Sequence, residues 1–506
     1  MGFNLNKSLR SSSIVDDIRF ALSSRFVMTI LAISTVCRII FNFFVLPSSP
    51  SSFGPDEGTY AALAKYVAEG RPVEEFPLYG AGLYNSAKSI ILPSAFLVQL
   101  GMGELGAVRT ISSTYGLASS LVLALCFLAL LRLRNQTFQK SEQIFDRKFL
   151  ILLLIFTFFP SNFVWSTIGL RESGNQFWLM TTFYLILKLL DSAGRDSLKF
   201  TALCSLALTL AYGTRSETSL VFSIVALLAS IVLLLKIRKF LPLFAIFLGV
   251  FGGQAFTTTP QVVAEESLGA FKIIEPVLIQ GTTPKPVESN QGTTPKPVEI
   301  LEAKPNDFAS RECFQVNEII QFDDNLYRCQ STKTYQVIER NLTKTLENQV
   351  LTTQVLESKR NANAVDAESA LPVNDCQGPS RDISRLIECN LNQFPYRLFA
   401  FLFRPLIFFD QGSSLLNFAA LENVGWLLLI PLSVWVSLLK TDKSINRIVN
   451  LSLISYVIVF ASAAALYEGN LGTAFRHKST ILWPLVFILM ITPNILSRFK
   501  TFNRLA

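Results

Sequence analysis

The sequence predicts an all-α polytopic membrane protein of about ten transmembrane helices, with a large polar insert outside the cell. Three observations carry this. The chain is half hydrophobic and only 16% charged, with 42 Phe in 506 residues, which is too apolar for an ordinary soluble protein. Apolar runs of about 17–25 residues recur along it, the length a helix needs to cross roughly 30 Å of hydrocarbon. Lys and Arg gather at alternate ends of those runs, which is the positive-inside pattern.

In chain order the apolar runs lie at about 26–46, 110–131, 149–168, 174–190, 199–213, 218–235, 240–258, 417–439, 447–466 and 479–497, and 199–213 is the shortest. A further apolar patch at 90–102 is interrupted by Pro93. It reads as an interfacial or re-entrant helix. Arg19, Arg25, Arg132, Arg147, Lys188, Lys236 and Lys440 mark the ends assigned to the cytoplasm. Both termini are therefore expected in the cytoplasm, and the loop after the first run outside it. On this reading the net charge of +8 reports topology, with a secondary attraction to anionic lipid, and implies no nucleic-acid partner. The first run is too long for a cleavable signal and no small-residue cleavage site follows it, so it reads as a signal anchor.

Composition divides the chain into an N-terminal membrane module at 1–258, an extracytoplasmic insert at 259–395 and a C-terminal membrane module at 396–506. The insert opens with the same nine residues twice, at 280–288 and 291–299. Two prolines in each copy, with Thr and Gly, make a stiff extended linker. From about 308 to 389 the composition suits a small disulfide-braced lobe, in which 322–329 reads as a turn leading into a strand. Cys313, Cys329, Cys376 and Cys389 all fall there and suggest two disulfides, with three pairings open. The absence of a C-x-x-C pair and of a nearby His argues against zinc. Cys37, Cys126 and Cys204 lie in apolar runs and read as buried small hydrophobes.

The loops assigned to the outside hold the chemistry. Asp56 and Glu57 follow the first run, Arg171 and Glu172 the third, and Arg215 and Glu217 the fifth. Arg404 precedes the eighth, and Glu468, Arg476 and His477 follow the ninth. Ionisable groups at such depth are costly unless paired or functional. Arginines can clamp a phosphate with bidentate hydrogen bonds, and a carboxylate can take a proton from an attacking hydroxyl. Blander readings stand beside these. Arg171/Glu172, Arg215/Glu217 and Glu468/Arg476 also fit plain ion pairs. Lys478 reads as a solvated flank, and Arg38 as a snorkelling residue or the partner of a buried acid. Pro55-Asp56-Glu57 is in addition a good helix start.

The stretch Asp56-Glu57-Gly58-Thr59-Tyr60, followed by the Ala-rich 61–68, resembles the first outer loop of GT-C-type membrane glycosyltransferases, in particular the polyprenyl-phosphate-sugar-dependent group. Gly82-Leu83-Tyr84, Trp165-Ser166, Arg171-Glu172 and Gly472-Thr473-Ala474-Phe475-Arg476 are similar in style to such proteins in polysaccharide assembly. The likeness covers about residues 26–240 and loosens afterwards, where the insert departs from the pattern.

The resemblance implies a GT-C-like fold and a catalytic acid at Asp56, with Glu57 as a neighbour able to share the role. Arg171, Glu172, Arg215, Glu217, Arg404, Glu468, Arg476 and His477 are then the expected substrate- and phosphate-binding set. The partners implied are a polyprenyl-phosphate-linked sugar, a glycan or lipid-linked acceptor, and membrane lipid. One His and one Asp-Glu pair make no recognisable metal site, although some enzymes of this kind use a divalent cation. Two other readings are open: a polymerase or ligase acting on lipid-linked oligosaccharide, and a non-enzymatic transporter of lipid-linked glycan.

Overall fold

In a computed structural model the described residues are 13–46, 56–73, 76, 80–133, 144–192, 194–257, 300–302, 319–322, 325–331, 334–339, 383–406, 414–438, 444–467 and 471–492. They divide into two units, a helical one built from both ends of the chain and one that contains the strands. The helical unit runs to residue 260 and resumes at 390 apart from a short intervening piece. The sequence had placed that return at 396.

The helical unit begins with α1 (Ile14–Leu22) and α2 (Arg25–Ile40), the latter ending in a π-helical turn at Phe41–Val45. Then follow α3 (Asp56–Ala68), α4 (Gly80–Gln99), α5 (Glu104–Leu133), α6 (Arg147–Phe158) and α7 (Pro160–Trp165). The bundle continues with α8 (Glu172–Asp191), α9 (Arg195–Tyr212), α10 (Ser216–Ile237) and α11 (Leu241–Thr257). After the insert come α12 (Ile383–Phe403), α13 (Ser414–Leu438), α14 (Ser444–Tyr467), α15 (Leu471–Lys478) and, past a 3-10 turn, α16 (Leu482–Ile491).

Among the described residues six helices are long and apolar enough to cross a membrane: Arg25–Val45, Glu104–Leu133, Ser216–Leu235, Ala419–Leu438, Asn446–Leu466 and Ala474–Ile491. The chain thus has the helices of a multi-pass membrane protein. Every apolar run of the sequence carries helix, but the run at 149–168 is broken at Phe159–Pro160 into α6 and α7. Proline at the first position of α7 is the cause, since it starts a helix but cannot continue one.

The second unit holds β1 (Ile300–Glu302), β2 (Ile319–Phe322), β3 (Asn325–Ser331) and β4 (Thr334–Glu339) in one antiparallel sheet of order β1-β4-β3-β2. Phe322 pairs with Asn325, and β3 is the strand expected there, while the expected turn at 323–324 lies outside the described residues. Of the four insert cysteines, Cys313 and Cys376 lie outside the described residues, as do the side chains of Cys329 and Cys389. Cys126 and Cys204 are buried, whereas Cys37 is only half-buried.

Three local devices hold the helical unit. α1 is closed at its start by a capping box, with Asp16 N–H donating to Ser13 Oγ at 3.1 Å and Ser13 N–H to Asp16 Oδ2 at 3.1 Å. Its Asp17 is fully buried and receives Arg132, Lys188 Nζ at 3.1 Å and the Tyr184 hydroxyl at 2.5 Å. That acid latches α1 to α5 and α8, and it escaped notice in the sequence among the basic residues around it.

The second device is α4, which breaks at Ala87 (φ −139°, ψ 16°) and not at Pro93 as expected. Ser89 N–H donates to Gly213 O at 3.0 Å, and the Ser89 hydroxyl to Leu210 O at 2.6 Å. Pro93 has no N–H to give Ser89 O, and the Tyr115 hydroxyl donates to that carbonyl at 2.8 Å instead. Glycine supplies the third device. A Cβ on Gly253 would meet Tyr212 Cγ at 2.5 Å, and one on Gly249 would meet Leu208 Cβ at 2.8 Å. These small residues let α9 and α11 approach closely.

Asp17→Asn leaves two buried cations without their acid, so it should cost about 3–5 kcal/mol of stability. Thermal unfolding of the detergent-solubilised protein measures this, and an unchanged midpoint would show that Asp17 is no latch.

Candidate functional site

The site lies at one end of the helical unit, where helices start, end or break. Asp56 and Glu57 are the first two residues of α3, where the helix dipole favours acids. Successive helical residues diverge by about 100°, and these two separate completely. Glu57 is 0% exposed. Its Oε1 accepts from Arg109 Nε at 2.7 Å and from Gly169 N–H at 2.9 Å, and its Oε2 accepts from Arg109 Nη2 at 3.0 Å. Glu57 therefore ties α3 to α5 and to the loop before α8. This leaves Asp56, with a side chain 48% exposed, as the acid of the pair that a substrate can reach.

Asp56 Oδ2 accepts from Arg476 Nη1 at 2.8 Å. Arg476 stands on α15 and its Nε lies 3.0 Å from Glu172 Oε1. That contact is an ion pair whose N–H points off-line, since Arg476 Nε makes no hydrogen bond. Glu172, the first residue of α8, is 3% exposed. The same Oε1 accepts from Arg215 Nη1 at 3.2 Å, just before α10. Arg215 Nη2 lies 3.3 Å from His477 Nδ1. Arginine only donates, so Nδ1 accepts, the ring is neutral and its proton sits on Nε2.

Arg171 turns from this chain and donates to the Ser86 hydroxyl at 3.0 Å. The buried phenol of Tyr60 is raised from its ordinary pKa by burial first. The Arg215 guanidinium is lowered, by burial first and by Arg171 next. Among the described residues Glu172 Oε2 and Arg171 Nε, both buried, have no hydrogen-bond partner. Glu217 is exposed, and its charge acts on Arg171 and Arg215.

The buried part of the described cluster has two guanidiniums (Arg215, Arg476) on one carboxylate (Glu172), with Asp56, Arg171 and Glu217 around it. Such an arrangement can hold a phosphate and leave a carboxylate beside it.

Other expectations fare differently. Glu468 lies outside the described residues. Arg404 is half-buried and donates to the Tyr396 hydroxyl at 3.4 Å. Lys478 is no solvated flank: it is fully buried and donates to Asn423 Oδ1 at 2.7 Å and Arg404 O at 2.9 Å. Next to it Glu422 accepts from Ser161 N–H at 2.5 Å and Trp426 Nε1 at 2.8 Å. These contacts brace α7, α13 and α15 behind the site, and only three-dimensional pairing reveals them.

Arg38 neither snorkels nor meets an acid in the described contacts. It donates to Ser166 Oγ at 2.5 Å and Ser34 Oγ at 3.2 Å, with its guanidinium 5.0 Å above the Phe163 ring. The pairing of Arg109 with Glu57 joins residues 52 apart in the chain and has no signal in the sequence.

No family model, curated protein or solved structure matches the chain.

Glu57→Gln should destabilise the protein by about 3 kcal/mol, because it strands the buried Arg109 charge. Asp56→Asn, at a half-exposed pair, should change stability by no more than about 1 kcal/mol. Denaturation of the two variants side by side tests the division of labour; equal losses would contradict it.

Proposed function

We propose that the chain is an integral membrane glycosyltransferase of GT-C type. It transfers a sugar from a polyprenyl-phosphate-linked donor to a hydroxyl-bearing acceptor on the extracytoplasmic side, in cell-envelope polysaccharide or glycoconjugate assembly. The observation that supports it most is Asp56, a half-exposed carboxylate set against a buried cluster in which arginines outnumber acids.

In this reaction Asp56 accepts the proton of the acceptor hydroxyl. The acceptor oxygen bonds to the anomeric carbon. The bond from that carbon to the phosphate oxygen breaks with inversion, and its electron pair leaves with the polyprenyl phosphate. Charge develops on that oxygen, and Arg476 and Arg215 are placed to stabilise it. Arg171 adds to the positive field.

The proposal includes a topology of ten crossings, with both termini in the cytoplasm and the insert outside. The alternation of basic ends supports this. An insert outside the cell would allow two disulfides among Cys313, Cys329, Cys376 and Cys389.

The test uses the purified full-length chain in lipid nanodiscs with a radiolabelled polyprenyl-phosphate sugar. Asp56→Asn should lower the transfer rate by about 10²–10⁴-fold, while Arg476→Lys should raise the donor KM as well, because bidentate contact is lost. Full transfer by Asp56→Asn would sink the assigned base. Chain lengthening that needs Arg476 and His477 but not Asp56 would point to a polymerase or ligase. Movement of lipid-linked sugar without turnover would mark a transporter.

A further inference from the structure

The break in α4 at Ala87 stands between two serines, and each holds a part of the site. Ala87 leaves helical geometry (φ −139°, ψ 16°). An unbroken helix would give the Ser89 N–H to Asn85 O. Here it donates to Gly213 O at 3.0 Å, and the Ser89 hydroxyl donates to Leu210 O at 2.6 Å. The end of α9 is thereby seated on α4 just ahead of Arg215. A Cβ on Gly213 would meet Phe256 Cε1 at 2.3 Å and Ser89 Oγ at 2.9 Å, so this approach needs glycine.

On the other side of the break Ser86 receives Arg171. Arg171 Nη1 donates to Ser86 Oγ at 3.0 Å and lies 3.4 Å from Ser86 O. Ser86 is itself fixed. Its hydroxyl donates to Leu83 O at 3.0 Å. Past the break, Lys88 Nζ donates to Phe256 O at 2.6 Å and fastens α4 to the end of α11.

The kind of anchor matters. Arg215 and Arg476 both rest on the Glu172 carboxylate. Among the described residues Arg171 rests on no carboxylate, and its hydrogen bonds go to Ser86. Glu172 and Glu217 are close enough to act on it by charge. Glu172 Oε2, on the next residue, is buried and has no hydrogen-bond partner among the described residues. A guanidinium left loose there would turn to that oxygen. A hydroxyl can orient a guanidinium without cancelling its charge, whereas a carboxylate does both.

We propose that Ser86 is a positioning residue of the phosphate site. It holds Arg171 off Glu172, so that this guanidinium can meet the donor's phosphate, while Ser89 fixes the backbone that carries Arg215. The identity of that phosphate rests on the transferase reading above.

The probe is geranyl phosphate, titrated onto the full-length chain in phosphatidylcholine nanodiscs and followed by calorimetry, with geraniol subtracted as the uncharged background. Ser86→Ala should weaken binding about tenfold. Ser86→Thr should keep it within about twofold of the unchanged chain. Ser86→Asp retains an acceptor for Arg171 but cancels its charge, so it should weaken binding at least as much as Ser86→Ala. With Arg171→Met already in place, Ser86→Ala should add nothing. Full binding by Ser86→Ala, an equal loss when Arg171 is already removed, or binding kept by Ser86→Asp would overturn the role. Should Ser86→Ala not fold, Ser86→Asp against Ser86→Thr decides, since both offer an oxygen and only one carries charge. If the unchanged chain binds no geranyl phosphate, the phosphate site and this role fall together. If it binds and the variants behave as expected but no sugar moves, the transferase chemistry alone falls.

Discussion

One buried oxygen, Glu172 Oε1, ties the described site together. It meets Arg215 at 3.2 Å and Arg476 at 3.0 Å. These arginines come from opposite halves of the chain, so the start of α8, the start of α10 and the whole of α15 converge on one acid. Ions buried at such depth cost several kcal/mol each unless paired. The pairing is incomplete by design of the charges present: two guanidiniums share one oxygen, and a third, Arg171, stands near. The same contact holds the site together and sets two guanidiniums against one buried carboxylate.

Carboxylates also repair the places where the helices break. Between α7 and α8 the backbone leaves helical geometry, and Gly169 N–H is taken by Glu57 at 2.9 Å. At the Phe159–Pro160 break, Ser161 N–H is taken by Glu422 at 2.5 Å. At the Ala87 kink, Ser89 N–H finds Gly213 O at 3.0 Å. Non-helical backbone is tolerated at depth only where other protein groups satisfy it. Glu57 and Glu422 are therefore scaffold acids, and they fix the backbone on either side of α7, ahead of Glu172 at the start of α8.

Hydropathy and length made the helices legible in the sequence, and the one-sided gathering of acids and arginines made the site legible in outline. Partner choice was not legible. Asp56 and Glu57 are adjacent in sequence, yet one is half exposed and the other sealed, because a turn of about 100° per residue sends them to different neighbours. Arg476, His477 and Lys478 form one basic run whose members go to an acid, a guanidinium and an amide in turn. Pro93 misled for a related reason. It stays inside α4, and the carbonyl its ring orphans, Ser89 O, accepts from the Tyr115 hydroxyl of α5.

The contact between Asp56 and Arg476 bears on how such a base could work. A carboxylate oxygen that accepts from a guanidinium must give up that hydrogen bond before it can take a proton there. Arg476, however, is held twice, by Asp56 through Nη1 and by Glu172 through Nε. A phosphate arriving at the cluster competes for Nη1 without stripping Arg476 of its buried partner. On the transferase reading the donor's phosphate would thus draw Arg476 Nη1 away from Asp56, and the half-exposed side chain of Asp56 is where an acceptor hydroxyl would meet it.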